Sequence, residues 1–313
     1  MRHSSKKSKP IIIVAPTASG KTDVAIALAK KINGEIISVD SRQVYKYLEK
    51  GTAKPEGKWQ DGKYLVDDVP YHLVDILEPT ETFDASKFVA MASKISLEIL
   101  QRKKTPIFAG GTGMYIQAYF VGMDNMPKSN PKIRAKLQAE AEKFGKDYLH
   151  KKLAKIDRIS ASQIPPQNIQ RVMRALEIYQ ISGKKPSSLK TGAFFEDIPS
   201  KKATILYLNW DKEELEKRII LRTNQIFEPM VKEAKALIEK GFAKDCPALK
   251  SLGYKEAIEF LDGKLSKKQA IEKIVILTRQ YAKRQRTWFA RYKNAEKISI
   301  NSQKDLENIN IVQ

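Results

Sequence analysis

Residues 11–22 read Ile-Ile-Ile-Val-Ala-Pro-Thr-Ala-Ser-Gly-Lys-Thr, and this stretch decides the fold. The four β-branched residues at its start predict a short strand buried on both faces, as in a parallel sheet. The Ala- and Leu-rich residues that follow, up to Ala29, favour a helix that begins near Gly20-Lys21-Thr22. A strand, a short loop and a helix in this order indicate a phosphate-binding loop.

The chemistry of this loop suits a polyanion. Backbone N–H groups at a helix N-terminus converge on an anion, Lys21 adds a cation, and the Thr22 hydroxyl is placed to hold Mg²⁺. The predicted diphosphate- or nucleotide-binding residues are Ala15, Pro16, Thr17, Ala18, Ser19, Gly20, Lys21 and Thr22. Ala15 stands where the usual pattern has Gly, so we expect the backbone there to have a negative φ.

The charge balance suggests a polyanionic partner. The chain has 313 residues, with 57 Lys plus Arg against 36 Asp plus Glu, giving a formal net charge of +21. Phosphate contacts dominate nucleic-acid binding, so nucleic acid is one such partner. A solubility device in a Lys-rich proteome explains the charge equally well, and both interpretations stay open at this point.

Several function classes are excluded by composition. The single cysteine, Cys246, rules out an internal disulfide framework, and the three histidines are too far apart along the chain to suggest a zinc cluster. No apolar run approaches the roughly 20 residues that span a bilayer, and no signal-peptide core is visible. Residues 1–9 are polar and basic and are predicted to be flexible. We expect a soluble, cytosolic protein.

Alternating strand and helix patterns predict an α/β fold. Strands are predicted at residues 35–40, 105–109 and 203–209, a helix at 83–103, and a loop at 51–70. This alternation implies a P-loop NTPase-like parallel sheet with right-handed crossovers, flanked by helices.

The chain is predicted to contain an inserted helical domain. Residues 123–200 are charged, lack strand patterns and are punctuated by prolines. We therefore expect an α/β core formed by residues 10–122 and 201–313, interrupted by this insertion. Within the second core segment, helices are predicted at residues 211–240 and 267–293.

Three predicted strands end in residues that suggest a common site. They are followed by the phosphate loop, by Asp40 and by the Gly110-Gly-Thr-Gly113 turn. Ligands in an open parallel sheet bind beyond the carboxyl ends of the strands. Taken singly, Asp40 beside Ser41 could cap the next helix, and the glycines could form only a tight connection. A carboxylate facing a Mg²⁺-bound phosphate could serve as a metal ligand, a general base, or both.

The C-terminal stretch 278–293 is strongly basic and contains no acid. Aromatic residues are interleaved with its cations, which on a helix produces a face suited to phosphates and unstacked bases. A core helix with a solvated basic side is an equally good interpretation. A second basic element places Arg171 and Arg174 three residues apart, on one helix face.

Taken together, these motifs resemble those of the bacterial tRNA dimethylallyltransferases, also called tRNA isopentenyltransferases, from about residue 10 to 293. The motifs that carry the resemblance are Ala15-Pro-Thr-Ala-Ser-Gly-Lys-Thr22, Asp40-Ser-Arg-Gln-Val-Tyr45, Gly51-Thr-Ala-Lys-Pro55, His72-Leu-Val-Asp-Ile76, Gly110-Gly-Thr-Gly-Met-Tyr115, Gln170-Arg-Val-Met-Arg-Ala-Leu-Glu177, Leu252-Gly-Tyr-Lys-Glu256 and Thr278-Arg-Gln-Tyr-Ala-Lys-Arg-Gln285 followed by Thr287-Trp288.

The resemblance implies transfer of a dimethylallyl group from its diphosphate to the exocyclic amine of the adenosine 3′ of a tRNA anticodon. Asp40 would be the general base, Lys21 and Thr22 would hold the diphosphate with Mg²⁺, and Arg222, rather than Arg218, would contact pyrophosphate. The target base would leave its stack to reach the site. The implied partners are tRNA and dimethylallyl diphosphate, with monomeric action the simplest expectation.

The resemblance also supplies candidate tRNA contacts. They are Asp40, Ser41, Arg42, Gln43, Thr112, Arg134, Gln170, Arg171, Val172, Met173, Arg174, Lys250, Ser251, Leu252, Gly253, Tyr254, Lys255, Lys283, Arg284, Gln285, Arg286, Thr287, Trp288, Phe289 and Ala290.

The sequence departs from the family pattern in places. Residues 164–168 lack the His and Asp common there, and residues 56–70 lengthen a surface loop. His72 matches a family position, and a structural hydrogen-bonding role is favoured for it.

Three rival functions remain open from the sequence. One is an adenylate isopentenyltransferase acting on free nucleotides, and another is a P-loop kinase of small molecules. The third is an RNA-binding protein with a vestigial phosphate loop. The helical insertion and the basic C-terminal helix argue against the first, and the Asp40 and Gly110 motifs argue against the second. Lys21, Thr22 and Asp40 together argue against the third.

Overall fold

The computed structural model describes residues 9–309. Almost all of the N-terminal segment predicted to be flexible, and the last four residues of the predicted core, lie outside this range. The described strands are β1 Ile11–Val14, β2 Gly34–Val39, β3 Lys58–Gln60, β4 Lys63–Val66, β5 Val69–His72, β6 Thr105–Gly110, β7 Thr204–Trp210 and β8 Glu296–Ile300. The described helices are α1 Lys21–Ile32, α2 Ala85–Gln101, α3 Gly113–Phe120, α4 Pro131–Phe144, α5 Lys146–Ile156, α6 Arg158–Gln163, α7 Ile169–Ser182, α8 Pro186–Leu189, α9 Lys212–Glu239, α10 Tyr254–Leu261, α11 Lys267–Phe289 and α12 Gln303–Glu307.

The strands within residues 9–309 form one eight-stranded sheet in the order β3-β4-β5-β2-β6-β1-β7-β8. From β5 to β8 all neighbours pair in parallel, and β1 lies between β6 and β7. The predicted parallel α/β sheet is therefore confirmed. The strand predicted at 203–209 lies one residue later. The sequence did not predict β8, a five-residue strand of which only Ile300 is buried.

The sheet is covered on both faces. Ile11, Ile13 and Ile107 belong to a core cluster that contains the buried residues of α1. Phe108 follows Ile107 and its ring meets the ring of Phe120 at 5.0 Å, on the other face of β6. Successive strand residues point to opposite faces, so β1 and β6 need apolar residues at nearly every position. This explains the uninterrupted aliphatic run at the start of the chain.

The prediction of a loop at residues 51–70 was wrong, because the segment contains β3, β4 and the start of β5. Asp61 and Gly62, with φ values of 49° and 72°, form the turn between β3 and β4. Two consecutive residues with positive φ match the right-handed twist of a hairpin. Trp59 and Tyr64 pack edge to face at 5.7 Å. The many charged residues hide the strand pattern in the sequence.

The chain divides into two compact units. One runs up to Phe120 and resumes at Asp197, and it contains the sheet. The other, Val121–Glu196, contains α4 to α8 around a small core that includes Leu137, Leu149, Leu153 and Leu176. Two of its prolines begin helices, since Pro131 and Pro186 are the first residues of α4 and α8.

Asp157 holds two helices of the second unit together. It caps α6 through Ser160 and also accepts hydrogen bonds from the Ser187 amide and hydroxyl at 2.8 Å each. Burial opposes ionisation, but these hydrogen bonds outweigh it and lower the pKa of Asp157 to about 2.

The α11 prediction was too long by four residues, because the helix ends at Phe289. None of the helices in residues 9–309 has the length and apolarity that a membrane span requires.

Glu35 is a fully buried carboxylate in the sheet. It is 2.8 Å from His72 Nε2, 2.7 Å from Arg102 Nη2 and 3.3 Å from Lys104 Nζ. The structural role favoured for His72 agrees with this contact. Burial alone would raise the pKa of Glu35, but the hydrogen bonds from His72 and Arg102 hold it well below its usual range.

We expect Glu35→Gln to lower the free energy of unfolding by roughly 3 kcal/mol at pH 7, because it removes one side of a buried ion pair. A depressed pKa contributes stability that is present above the unfolded-state value of 4.5 and is lost as the pH falls below it. Urea unfolding at pH 7 and pH 4 should therefore give a smaller difference between variant and wild type at the lower pH. Glu239→Gln is the control, since that side chain is 64% exposed. A difference that does not change with pH would contradict the assignment.

Candidate active site

The phosphate loop has the backbone that the sequence predicts. Helix α1 begins at Lys21, directly after Gly20, whose φ is 74°. Ala18, three residues before Lys21, also has a positive φ, of 62°. A Cβ at Gly20 would also lie 2.4 Å from Leu306 Cδ2, so a larger residue would displace the Leu306 side chain in addition to straining the backbone. Ala15 is buried and is not among the residues with positive φ. Alanine is therefore tolerated where the usual pattern has glycine.

Two arginines of α9 reach the loop. Arg218 Nε donates to the Ala18 carbonyl at 2.8 Å, and its guanidinium lies 4.6 Å from the Trp210 ring. Trp210 Nε1 donates to the Ser19 carbonyl at 2.9 Å. Arg222 Nη1 lies 3.3 Å from the Thr17 hydroxyl oxygen. Both arginines predicted as alternative pyrophosphate contacts thus lie at the loop, and Arg218 is the one bound to its backbone.

The cations around the loop are desolvated by the surrounding protein. Burial lowers the pKa of the Lys21 amine, the Asp40 carboxylate opposes this, and Arg222 adds to it. Burial likewise lowers the pKa of Arg222, with Asp40 opposing and Arg218 adding to the shift. Desolvated cations repel one another, and a bound anion would relieve this repulsion. Together with the helix N-terminus, they form a site for a polyanion.

Gln285 of α11 connects the phosphate loop with the glycine turn after β6. Its Oε1 accepts from the Thr17 amide at 2.8 Å, and its Nε2 donates to the Gly111 carbonyl at 3.0 Å. A Cβ at Gly111 would lie 2.2 Å from Nε2, so this approach requires glycine. Gln285 is buried with both amide groups engaged. The geometry gives it an internal bridging role instead of the predicted tRNA contact.

Asp40 directly follows β2. Its position is compatible with the role of a metal ligand and with that of a general base. Its Oδ1 accepts from the amides of Arg42 at 2.8 Å and Gln43 at 3.3 Å, so this oxygen closes a turn. Gln43 itself is buried, where it bonds to Ser38 and to the Ala53 carbonyl. Its side chain is therefore used within the protein.

Two cavities adjoin at Asp40. The phosphate-side cavity, of about 330 Å³, is lined by residues 17–23 with Asp40, Arg218 and Arg222. The central cavity, also of about 330 Å³, is lined by apolar residues of α9, α11 and the loop before α10, and by a polar edge. Its lining includes Arg42, Ile219, Ile226, Met230, Lys250, Leu252, Ile274, Thr278, Tyr281 and Arg284. Thr17, Ala18, Asp40, Thr52 and Arg222 line both cavities.

Sequence reasoning missed Ile226, Met230 and Tyr281 as lining residues. Tyr281 was noted only as an aromatic residue of the basic stretch, yet it lines the central cavity and hydrogen-bonds Thr112. Burial raises the pKa of the Tyr281 hydroxyl, and the nearby Asp40 carboxylate raises it further. The periodicity of α9 contains a usable signal for the other two residues, since Arg222, Ile226 and Met230 are four residues apart.

The loop that contains Thr52 is held by Glu233 of α9. The carboxylate accepts from the amides of Glu49 at 3.2 Å, Lys50 at 2.7 Å and Gly51 at 3.3 Å. It also accepts from the Tyr254 hydroxyl. Tyr254 has no exposed surface, so its side chain supports this loop and is not available for the predicted tRNA contact.

The basic helix α11 combines both interpretations of its sequence. Lys283, Arg284 and Thr287 are exposed, whereas Phe289 and Tyr292 are buried in the core. The Arg284 guanidinium lies 5.8 Å from the Tyr281 ring, at the edge of the central cavity. Lys283 and Arg284 are thus accessible to an anion, whereas half of the interleaved aromatic residues pack in the protein core. Among the other candidates, Lys250, Lys255 and Ala290 are exposed, and Ser41, Leu252, Arg286 and Trp288 are partly exposed.

In the helical unit, the predicted contact residues separate by burial. Arg134 Nε and Arg174 Nη1 lie 3.1 and 2.6 Å from the buried Glu177 carboxylate. Val172 and Met173 belong to the unit's core, so their side chains are not available for RNA. The exposed residues of this set are Gln170, Arg171 and Arg134.

The residues at the loop fit a metal ion that arrives with a diphosphate. Over residues 9–309, no group of three or more His, Cys, Asp or Glu side chains is arranged to hold an ion. A divalent cation bound through substrate phosphates needs only one or two protein oxygens. The Thr22 hydroxyl, which hydrogen-bonds Tyr71, and the Asp40 carboxylate both line the phosphate-side cavity.

This fold and site define a P-loop α/β protein in which a polyanion site opens onto a cavity that contains a carboxylate. Comparison with known proteins specifies the class further. A family model described as IPP transferase matches residues 43–292, and one described as Isopentenyl transferase matches residues 9–63. The tRNA dimethylallyltransferase of Elusimicrobium minutum is 56% identical over 287 residues, covering 92% of this chain and 93% of that protein. The chain belongs to the tRNA dimethylallyltransferase family.

Further relatives agree. The tRNA dimethylallyltransferase of Alkaliphilus oremlandii is 40% identical over 308 residues, covering 97% of this chain and 95% of that protein. The crystal structure of the tRNA isopentenylpyrophosphate transferase of Bacillus halodurans matches with a TM-score of 0.66 at 35% identity, covering 96% and 94% of the two chains. A eukaryotic dimethylallyltransferase described as acting on tRNA matches with a TM-score of 0.75 at 29% identity, covering 96% of this chain and 76% of that one.

Proposed function

We propose that this protein transfers a dimethylallyl group from dimethylallyl diphosphate to the exocyclic amine of the adenosine 3′-adjacent to the anticodon of tRNA, releasing diphosphate. The observation that carries the proposal is the position of Asp40. It lines both the anion site of Lys21 and Arg222 and the central cavity, which has room beyond the phosphates for a prenyl chain and a base.

The reaction follows from this arrangement. The amine nitrogen of adenine attacks the first carbon of the prenyl chain, a carbon–nitrogen bond forms, and the carbon–oxygen bond to the diphosphate breaks. Asp40 takes the proton that the amine loses, using the oxygen not engaged by Arg42 and Gln43. Lys21 and the amides at the start of α1 stabilise the negative charge on the leaving diphosphate. Arg222, beside Thr17, adds a second cation.

Mg²⁺ is the ion we propose for this site. When bound, it would neutralise charge on the diphosphate oxygens, and the Thr22 hydroxyl is the protein oxygen that would hold it. Thr22 is kept in position by its hydrogen bond with Tyr71, a residue that is almost fully buried.

The tRNA would bind along the exposed cations that border the central cavity. Lys250, Lys283 and Arg284 are exposed, and Lys250 and Arg284 line the cavity. The exposed Arg171 and Gln170 are the proposed contacts in the helical unit. Base extrusion is required, because the amine must reach a carbon held beside a buried loop. We propose monomeric action in the cytoplasm, where tRNA is found.

The decisive experiment offers labelled dimethylallyl diphosphate with unmodified tRNA, with AMP, or with neither. Label transferred only to tRNA supports the proposal. Label in AMP would instead identify a free-nucleotide isopentenyltransferase, and phosphate transfer from labelled ATP would identify a kinase. Binding of tRNA without any transfer would identify an RNA-binding protein. The family membership and the cation-lined cavity favour the first outcome.

We expect Arg284→Ala to weaken tRNA binding about fivefold to tenfold and to reduce the dependence of affinity on salt by one phosphate contact. The affinity for dimethylallyl diphosphate should stay within about twofold, since Arg284 lines the central but not the phosphate-side cavity. Filter binding of tRNA at several salt concentrations, with calorimetry of the diphosphate, measures both. Arg279→Ala is the control, because Arg279 pairs with Glu216 at 2.6 Å. Equal loss of both affinities would contradict this role for Arg284.

A further inference from the structure

One face of α9 carries a row of side chains that changes from charged to apolar along the helix. Arg218, Arg222, Ile226 and Met230 are each four residues apart, and residues four apart lie one above the other on a helix. The first two contact the phosphate loop, and the last two line the central cavity. The row therefore runs from charged, at the anion site, to fully apolar.

The spacing of this row matches a diphosphate ester with a short prenyl chain. A helix rises about 1.5 Å per residue, so Ile226 lies about 6 Å and Met230 about 12 Å beyond Arg222 along the axis. With the diphosphate at Arg222, a chain of one five-carbon unit extends beside Ile226. A second five-carbon unit would need the next helical turn, and Met230 occupies that turn.

Met230 is wedged between two loops. It is only 1% exposed. A Cβ at Gly51 would lie 3.0 Å from Met230 Cγ, and a Cβ at Gly253 would lie 2.9 Å from its Sδ and Cε. The loop at Gly253 thus passes close to the thioether, and the loop at Gly51 lies near Met230 Cγ but closer to the Tyr254 hydroxyl. Met230 therefore lines the central cavity from a tightly packed position.

The space behind Met230 is apolar core and not solvent. Met230 belongs to a buried cluster that includes Phe227, Tyr254, Ile258 and Ile274. Shortening Met230 would therefore deepen the cavity into an apolar region, where an added prenyl unit is stabilised by burial at about 25 cal/mol per Å² of apolar surface. Ile226 and Leu252 line the same cavity but are partly exposed, so they are less suited to close it.

We propose that Met230 is a specificity-determining residue that ends the donor pocket after one five-carbon unit and excludes ten-carbon prenyl diphosphates. The inference rests on the proposed function and names the residue that sets the chain length of its donor. Exclusion of one extra group by an apolar pocket commonly amounts to about 10-fold to 200-fold, which sets the size of the effect to look for.

The test compares kcat/KM for dimethylallyl and geranyl diphosphate, with unmodified tRNA as acceptor, in wild type, M230A and M230L. In M230A we expect the ratio of geranyl to dimethylallyl transfer to rise at least tenfold, with dimethylallyl transfer reduced less than tenfold. M230L keeps the side-chain volume and should retain the wild-type ratio. Inhibition of dimethylallyl transfer by geranyl diphosphate should tighten in M230A by a similar factor, which reports binding independently of chemistry.

The outcomes are separable. If the wild type transfers no dimethylallyl group to tRNA, the proposed function itself fails. If the wild type is active and folded M230A shows an unchanged ratio and unchanged inhibition, only the role of Met230 is overturned. If M230A does not fold, as judged by thermal unfolding, M230V provides a smaller truncation, for which a rise of about threefold or more in the ratio is expected and an unchanged ratio again overturns the role. An equal rise in M230L would also overturn it.

Discussion

Replacing Asp40 with asparagine is expected to slow transfer to tRNA by roughly a hundredfold to ten-thousandfold, which is the usual contribution of a general base. Asparagine preserves the shape of the side chain and an oxygen that can accept from the amides of Arg42 and Gln43, so the turn after β2 is kept. It removes only the ability to take a proton from the adenine amine. Donor binding should change by less than about threefold.

Single-turnover measurements with labelled dimethylallyl diphosphate and excess tRNA isolate this step from product release. Asp23→Asn is a matched control, since Asp23 lines the same phosphate-side cavity and the substitution also removes one carboxylate charge. That control should lose less than tenfold. If the Asp40 variant kept more than about a third of the wild-type rate, another group would have to be the base.

Replacing Lys21 with alanine is expected to lower kcat by about a hundredfold to a thousandfold, comparable to the removal of one group that stabilises developing negative charge. Lys21 is the first residue of α1, and burial lowers its pKa in the protein without ligand. A diphosphate beside Lys21 stabilises the charged form of its amine. Most of this electrostatic stabilisation arises in the transition state, as the leaving group takes up negative charge. We therefore expect kcat and kcat/KM to fall together.

Steady-state assays over a range of dimethylallyl diphosphate concentrations measure both parameters. Lys30→Ala is the control, because Lys30 lies in the last turn of the same helix and is 54% exposed in its ion pair with Asp67. That variant should behave like the wild type. A Lys21 variant with raised KM but unchanged kcat would mean that Lys21 contributes equally to ground-state and transition-state binding.

The parts of the molecule that sequence predicts well are those with a local signal. The aliphatic run of β1 and the glycine before α1 identify the phosphate loop, because burial on both faces and a positive φ each demand particular residue types. The long helices α9 and α11 follow from their apolar periodicity. The hairpin Lys58–Val66 escaped prediction, since its turn residues lie among charged residues without clear alternation.

Burial also decides which residues of a recognised motif face a ligand. The segment around Lys283 and Arg284 was identified as basic from its sequence, yet Gln285 is turned inward to bridge Thr17 and Gly111. A motif contains the residues that support a site together with those that touch the substrate. Their separation requires the exposure and hydrogen bonds of each side chain.

By itself, the sequence determined that this protein has a phosphate loop in a parallel α/β sheet, with Asp40 at the end of the next strand along the chain and a basic C-terminal helix. Only the tertiary structure decided that α9 supplies both the arginines at the loop and the apolar wall that ends at Met230. The physical reason is the separation along the chain over which each interaction acts. Propensity and periodicity act between residues a few positions apart, whereas the cavity is formed by contacts such as Thr17 to Gln285, which are 268 residues apart in the chain.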